Sequence, residues 1–163
     1  TTLFRSYYHI DRNECEKTDL IQNGYFYLLE YDAYTKSARK EGFDNFPLIY
    51  CIGPDTMSIN AFWAINLHYF DMNTQLYILD EMQKQYHAFL EDVRILWNGK
   101  QLNDIYSNIA IGLRCYNRKY VMDSFRIKMP CVPKYLGLEE KFRIMDSKDA
   151  KSKFDLAPGN KGF

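Results

Sequence analysis

The chain has 163 residues, a hydrophobic share of 47% and an aromatic share of 17%, with fourteen Tyr and eleven Phe. That composition excludes general disorder, and the length suits one domain that buries a core without staples. Formal net charge is zero, yet residues 1–93 hold 7 basic and 14 acidic side chains while residues 94–163 hold 14 and 7. Two readings of this split stay open: halves that fold on each other and cancel, or a polar molecule that stacks head to tail or offers a basic face to nucleic acid.

Residues 1–23 are polar and mixed, with Leu3, Phe4, Tyr7, Tyr8 and Ile10 suited to a short strand or a docking arm. Asn23-Gly24 signals a turn, and a strand follows over Tyr25–Tyr31 with Tyr25, Tyr27, Leu29 and Tyr31 on one face. The polar stretch from Asp32 to Asn45 reads as a loop. The chain is then organised around Phe46–Asp71, where two apolar runs, Pro47–Gly53 and Ile59–Phe70, flank a polar turn. Period-two spacing with aromatic and β-branched residues predicts a hairpin. Several strands by residue 70 with no intervening helix imply antiparallel pairing, closing into a small curled sheet or barrel.

Asp71-Met72-Asn73-Thr74 supplies helix-start residues. Leu79, Met82, Tyr86, Phe89, Val93 and Leu96 recur at three- and four-residue spacing and predict a helix of about six turns that ends at Asn98-Gly99. A second helix is expected from about Leu102 to about Tyr120, although Gly112 sits near its middle. Phe125–Lys128 alternates again and reads as a strand returning to the sheet. The stretch Tyr135–Met145 fits either a short helix or a strand. From Asp146 the composition turns charged and small, as in an extended tail.

No catalytic pattern is specific. His68 with Asp71 at a strand end resembles an acid–base pair, but a lone strand histidine is more commonly a hydrogen-bonded structural residue. His9, His68 and His87 lack metal-ligand spacing, and no phosphate-binding glycine loop or nucleophile elbow is present. The Asp146-Ser147-Lys148 and Asp149-Ala150-Lys151 pairs lie in the polar tail and read as solvated charge. Four scattered cysteines, Cys15, Cys51, Cys115 and Cys131, suggest reduced thiols in a cytosol, not a disulfide scaffold. No signal peptide is visible, and the apolar runs are too short to span a membrane. The basic residues Arg114, Arg118, Lys119, Arg126 and Lys128 alternate with Tyr116, Tyr120 and Phe125, a mixture that suits either phosphate contact or a solvated face pairing with the acidic half.

Several short motifs occur together in order. They are Tyr25-Phe26-Tyr27, Tyr31-Asp32 with DAYTK at 32–36, Phe46-Pro47-Leu48-Ile49, Ile65-Asn66-Leu67-His68-Tyr69-Phe70, Cys115-Tyr116, Lys119-Tyr120 and a strand ending at Pro130. Over roughly residues 24–135 this pattern resembles a group of small virion proteins from large tailed bacteriophages. Phe62-Trp63-Ala64 departs from the glycine-rich approach expected there, and Phe70 stands where Leu is usual. The resemblance implies a particle component at the neck, tail, baseplate or packaged DNA end, made in the host bacterial cytoplasm, and carries over no catalytic residues.

The resulting expectation is an α+β fold: a small antiparallel β-barrel or curled sheet covered by two helices, with extended N- and C-terminal arms. Its bounds are 1–23 for the first arm, 24–145 for the domain and 146–163 for the tail. The first function expected is a non-enzymatic virion protein, in multiple copies, with other virion proteins as partners and no cofactor, metal or membrane. Its expected contact residues are Tyr7, Tyr8, Trp63, Phe154 and Phe163. The alternatives are a DNA-binding or DNA-end-protecting protein using Arg114, Arg118, Lys119, Arg126 and Lys128, and a small barrel-toxin-type ribonuclease with His68 as acid–base and Arg39 as phosphate holder.

Overall fold

The computed structural model describes residues 10–32, 45–54, 60–86 and 89–141. The described residues include six strands: β1 (Cys15–Lys17), β2 (Phe26–Tyr31), β3 (Leu48–Pro54), β4 (Ala61–Asn66), β5 (Leu113–Asn117) and β6 (Val121–Ile127). They form one antiparallel sheet in the order β1-β6-β2-β3-β4-β5. Helices are α1 (Met72–Tyr86), α2 (Gly99–Ile105) and the single turn α3 (Val132–Tyr135).

The expected hairpin is the centre of this sheet. Ile49 pairs with Asn66, Tyr50 with Ile65 and Cys51 with Ala64, and a register shift follows between Cys51 and Gly53. β2 lies between β3 and β6, with Phe26 opposite both Tyr50 and Ile127. Alternation then sorts side chains onto two faces. One carries Tyr27, Leu29, Ile49, Cys51, Phe62, Ala64 and Tyr116, joined by Ile21. The other carries Phe26, Leu28, Leu48, Tyr50, Ile65, Phe125 and Ile127, packed against Ile78, Leu79 and Met82 of α1 and against Phe89, Ile95 and Trp97. Burying each of those α1 side chains contributes about 1.5–3 kcal/mol, which holds the helix on the sheet.

Among the described residues the sheet is open and does not close into a barrel: no ladder joins its edge strands, β1 and β5. It curls nonetheless, for a reason of chain length. Laid flat, β5 and β6 stand four strand spacings apart, about 19 Å. The four steps from Asn117 to Val121 reach about 14 Å at most. The curl brings Tyr31 of β2 onto Tyr116 of β5, with ring centroids 5.0 Å apart and planes at 83°. The Asn117 amide donates to the Tyr31 hydroxyl at 2.9 Å, and the Asp32 amide to the Tyr120 carbonyl at 2.9 Å.

Three expectations are corrected. The first helix stops at Tyr86, the Gln83 side chain accepts from the Phe89 amide at 2.8 Å, residues 89–92 turn, and residues 93–97 carry Ile95 and Trp97 into the core without regular structure. Asn98-Gly99 begins a helix instead of ending one: Asn98 Oδ1 accepts from the Gln101 amide at 2.9 Å, and Gln101 Oε1 from the Asn98 amide at 3.0 Å. This is a capping box of Asn98 with Gln101, and Asn98 suits a helix start as readily as Asn98-Gly99 suits a stop. The second helix ends at Ile105, and residues 113–117 are a strand. Gly112 explains the change, because a Cβ there would lie 2.6 Å from the Phe70 ring and 2.8 Å from the Asn66 carbonyl oxygen. The chain presses against the end of β4 at that point, and pairing with β4 overrides the helical periodicity.

Residues 15–17, read as part of an arm, form the edge strand on β6. Glu14 fastens this segment, taking Lys134 Nζ at 2.8 Å and the Tyr135 hydroxyl at 3.1 Å. The outer arm residues 1–9, and the chain from 142 onward including the tail, lie outside the described residues.

The segment after α1 is pinned by Tyr50. Its buried hydroxyl donates to the Ile95 carbonyl and accepts from the Trp97 amide at 3.1 Å. We predict that Tyr50→Phe, which keeps the ring and strips both bonds, lowers stability by about 1–3 kcal/mol. Chemical denaturation checks this; a midpoint equal to that of the unaltered protein contradicts the pin.

Candidate interaction surface

Trp63 is the large aromatic side chain that the described sheet leaves in view, 37% exposed, whereas Trp97 is buried. Its ladder neighbours give the reason. Gly53 on β3 has no side chain, and Cys115 on β5 has a small one. Neither adjacent strand can cover the indole. Gly53 adopts φ 149°, the left-handed side of backbone space that glycine favours, so a larger residue there is strained.

The five basic residues expected to act together are not gathered on one face. Arg126 on β6 is committed to Asp92, Nη1 to Oδ1 and Nη2 to Oδ2, both at 3.0 Å, with Glu16 3.6 Å away and the Tyr25 ring beneath. Burial pushes the Asp92 carboxyl up, but hydrogen bonds from Arg126 and the Met129 amide outweigh it and hold the carboxyl below its usual range. Arg114 lies over the Tyr69 ring at 4.0 Å and donates to the Leu113 and Ile111 carbonyls at 2.7 and 3.1 Å. Arg118 lies over the Phe62 ring at 5.4 Å and reaches the Ile21 carbonyl at 3.3 Å. Lys119 and Lys128 are exposed. They stand at opposite ends of the seven-residue β6, roughly 25 Å apart along a strand rise of about 3.3 Å per residue.

Arg118 also borders a shallow, open recess of about 180 Å³, with Asp19, Ile21, Val121, Met122, Asp123 and Ser124. Leu20 and Met122 are exposed beside it. Asp123 is met by Lys17 at 3.7 Å.

Part of the charge split is met inside the fold. Glu14 with Lys134, and Asp92 and Glu16 with Arg126, each join the acidic half to the basic half. These pairs favour mutual cancellation over a separated polar molecule.

His68 follows β4 in a 3-10 turn, Leu67–Tyr69, with its amide on Asn66 Oδ1 at 3.0 Å. Asp71 does not serve it as a catalytic partner. Its Oδ1 caps α1 by accepting from the Thr74 amide at 2.8 Å, and that hydrogen bond holds its carboxyl below the usual range. None of the four cysteines is in a disulfide; burial pushes Cys15 up to about 11 and Cys51 up to about 12, which suppresses thiolate chemistry of those two at neutral pH. Among the described residues no group of three or more His, Cys, Asp or Glu is placed to hold a metal, and no helix is long and apolar enough to cross a membrane. Tyr7, Tyr8, Arg39, Phe154 and Phe163 lie outside the described residues.

Sequence reasoning does not single out Asp92, which falls inside the expected first helix; its pairing with Arg126 depends on the chain leaving the helix before residue 89. Tyr31 lies on the expected face of β2, but its contact with β5 depends on the curl.

No protein-family model, curated protein or solved structure matches the chain.

Burial alone lowers the His68 pKa from the ordinary 6.5. The unfolded chain therefore binds the proton more readily, so this residue favours folding fully above pH 6.5 and less as pH falls below it. Melting temperatures between pH 7.5 and 5 are expected to fall more steeply for the unaltered protein than for His68→Gln. Parallel pH profiles contradict this.

Proposed function

We propose that the chain is a structural, non-enzymatic component of a tailed-phage virion, assembling in several copies with other virion proteins at the neck, tail or baseplate. The observation that carries the reading is Trp63, an indole left 37% exposed on a doubly paired strand by its Gly53 and Cys115 neighbours. Tryptophan is enriched among the residues that dominate protein–protein binding, because it offers a large rigid surface at low entropic cost. The ordered motifs between residues 24 and 135 direct the reading to phage particles in particular.

The chain is expected in density-gradient-purified particles of a phage that encodes it, detected by mass spectrometry. Trp63→Ala should lower its copy number there severalfold. As a partly exposed substitution it should change stability by only about 0.5 kcal/mol. Purified particles that lack the unaltered chain overturn the proposal.

DNA binding or DNA-end protection is a second reading, favoured by a different observation. Residues 105–122 contain no Asp or Glu and carry Arg114, Arg118 and Lys119. Three phosphate contacts predict a log–log salt slope for duplex binding of about −3. Fluorescence anisotropy with labelled duplex across 25–300 mM salt (roughly a tenfold range) measures the slope. No retention at the lowest salt removes this reading.

A further inference from the structure

An edge strand offers alternate N–H and C=O groups to any chain that can pair with it. β5 is such an edge; among the described residues it pairs with β4 alone. Its backbone directions follow from two contacts. The Asn117 amide leaves β4 to reach the Tyr31 hydroxyl, and the Leu113 carbonyl is reached by the Arg114 guanidinium. By alternation, residues 113, 115 and 117 point outward, and 114 and 116 face β4. The Arg118 amide agrees with this, since it bonds inward to the Asn60 carbonyl at 2.8 Å.

Both ends of the outward row are therefore occupied from within the chain. The Leu113 amide is held by the Ala110 carbonyl, closing the preceding 3-10 turn. The Leu113 carbonyl takes Arg114 Nη1 at 2.7 Å. The Asn117 amide takes the Tyr31 hydroxyl at 2.9 Å. Neither side chain is free to drift. Arg114 is seated on the Tyr69 ring, and Tyr31 is wedged edge-on against both Tyr116 and Tyr120.

We infer that Arg114 and Tyr31 are edge guards, which hold β5 shut against strand addition so that contacts with other chains are made by side chains and not by backbone pairing. An incoming strand would have to displace a guanidinium from one end and a tyrosine hydroxyl from the other before gaining its own bonds. Five residues of edge are too few to repay that. β1 is protected more simply, by its three-residue length and by exposed Glu16 and Lys17. The guard belongs to the isolated chain and does not depend on the virion reading.

Arg114→Leu keeps an apolar stem over Tyr69 while removing the bonds to the Leu113 and Ile111 carbonyls, and Tyr31→Phe keeps the stacked ring while removing the hydroxyl that meets the Asn117 amide. The double variant and the unaltered protein are compared in reducing buffer over a hundredfold concentration range. Light scattering behind size exclusion reads mass, and infrared spectroscopy reads intermolecular strands. The double variant should gain mass with concentration beyond the unaltered protein and acquire new intermolecular strand signal. Equal masses throughout, with an unchanged near-ultraviolet circular dichroism spectrum, overturn the guard. Should the double variant not fold, amide hydrogen exchange of Tyr31→Phe decides. The Asn117 amide should exchange roughly five- to tenfold faster while Tyr116 keeps its rate; an unchanged Asn117 rate overturns the guard.

Discussion

Tyr50 lies in the middle of β3, buried, with one hydroxyl serving two backbone groups of a segment 45 residues away. That segment, Val93 to Trp97, has no regular structure of its own and crosses the face that α1 also covers. Its polar groups need partners in an apolar setting, and the phenol supplies them. Gly24 completes the fastening. The Ile95 amide donates to the Gly24 carbonyl at 3.1 Å, and Gly24, at φ 90°, has no room for a Cβ, which would meet the Ile95 oxygen at 2.8 Å. Arg94 then closes over Asn23 from outside, through both its carbonyl and its side chain. Sheet, crossing segment and α1 thus form one core, and α2 starts from a fixed point.

A second constraint is the short link from β5 to β6. Because the chain cannot span a flat sheet in four steps, the sheet curls, and its inner face gains a core of its own. Asn66 shows how closely that core is specified. It is fully buried, donates from Nδ2 to the Tyr116 hydroxyl at 3.2 Å and accepts from the His68 amide through Oδ1. The same curl delivers Tyr31 to the edge of β5. One constraint therefore shapes the inner core and also governs what the edge can accept.

The surface that follows is selective in kind. Cations that look like a phosphate-binding series along the chain are divided by the fold. Arg126 is neutralised by Asp92, Arg114 and Arg118 lie flat on aromatic rings, and Lys119 and Lys128 are separated by a whole strand. A guanidinium over a ring, bonded to a carbonyl, works as packing as much as charge. Trp63 differs because it is exposed by its neighbours' small size and has no such internal employment on its outer side.

Elements that rest on local pattern were legible in the chain alone. The apolar runs Pro47–Gly53 and Ile59–Phe70 specify the hairpin that β3 and β4 form, Tyr27 and Tyr31 mark one face of β2, and Asp71 marks the start of α1. Period and capping chemistry are local, so they are legible without a fold. Features set by distant residues emerged with the fold. Leu113–Asn117 reads as helix by spacing and becomes strand because β4 offers a ladder and Gly112 must pass close to Phe70. Asn98-Gly99 reads as a stop and becomes a start because Tyr50 delivers the chain to that point already extended. The exposure of Trp63 depends on which residues stand opposite it, and register is a property of paired strands, not of one.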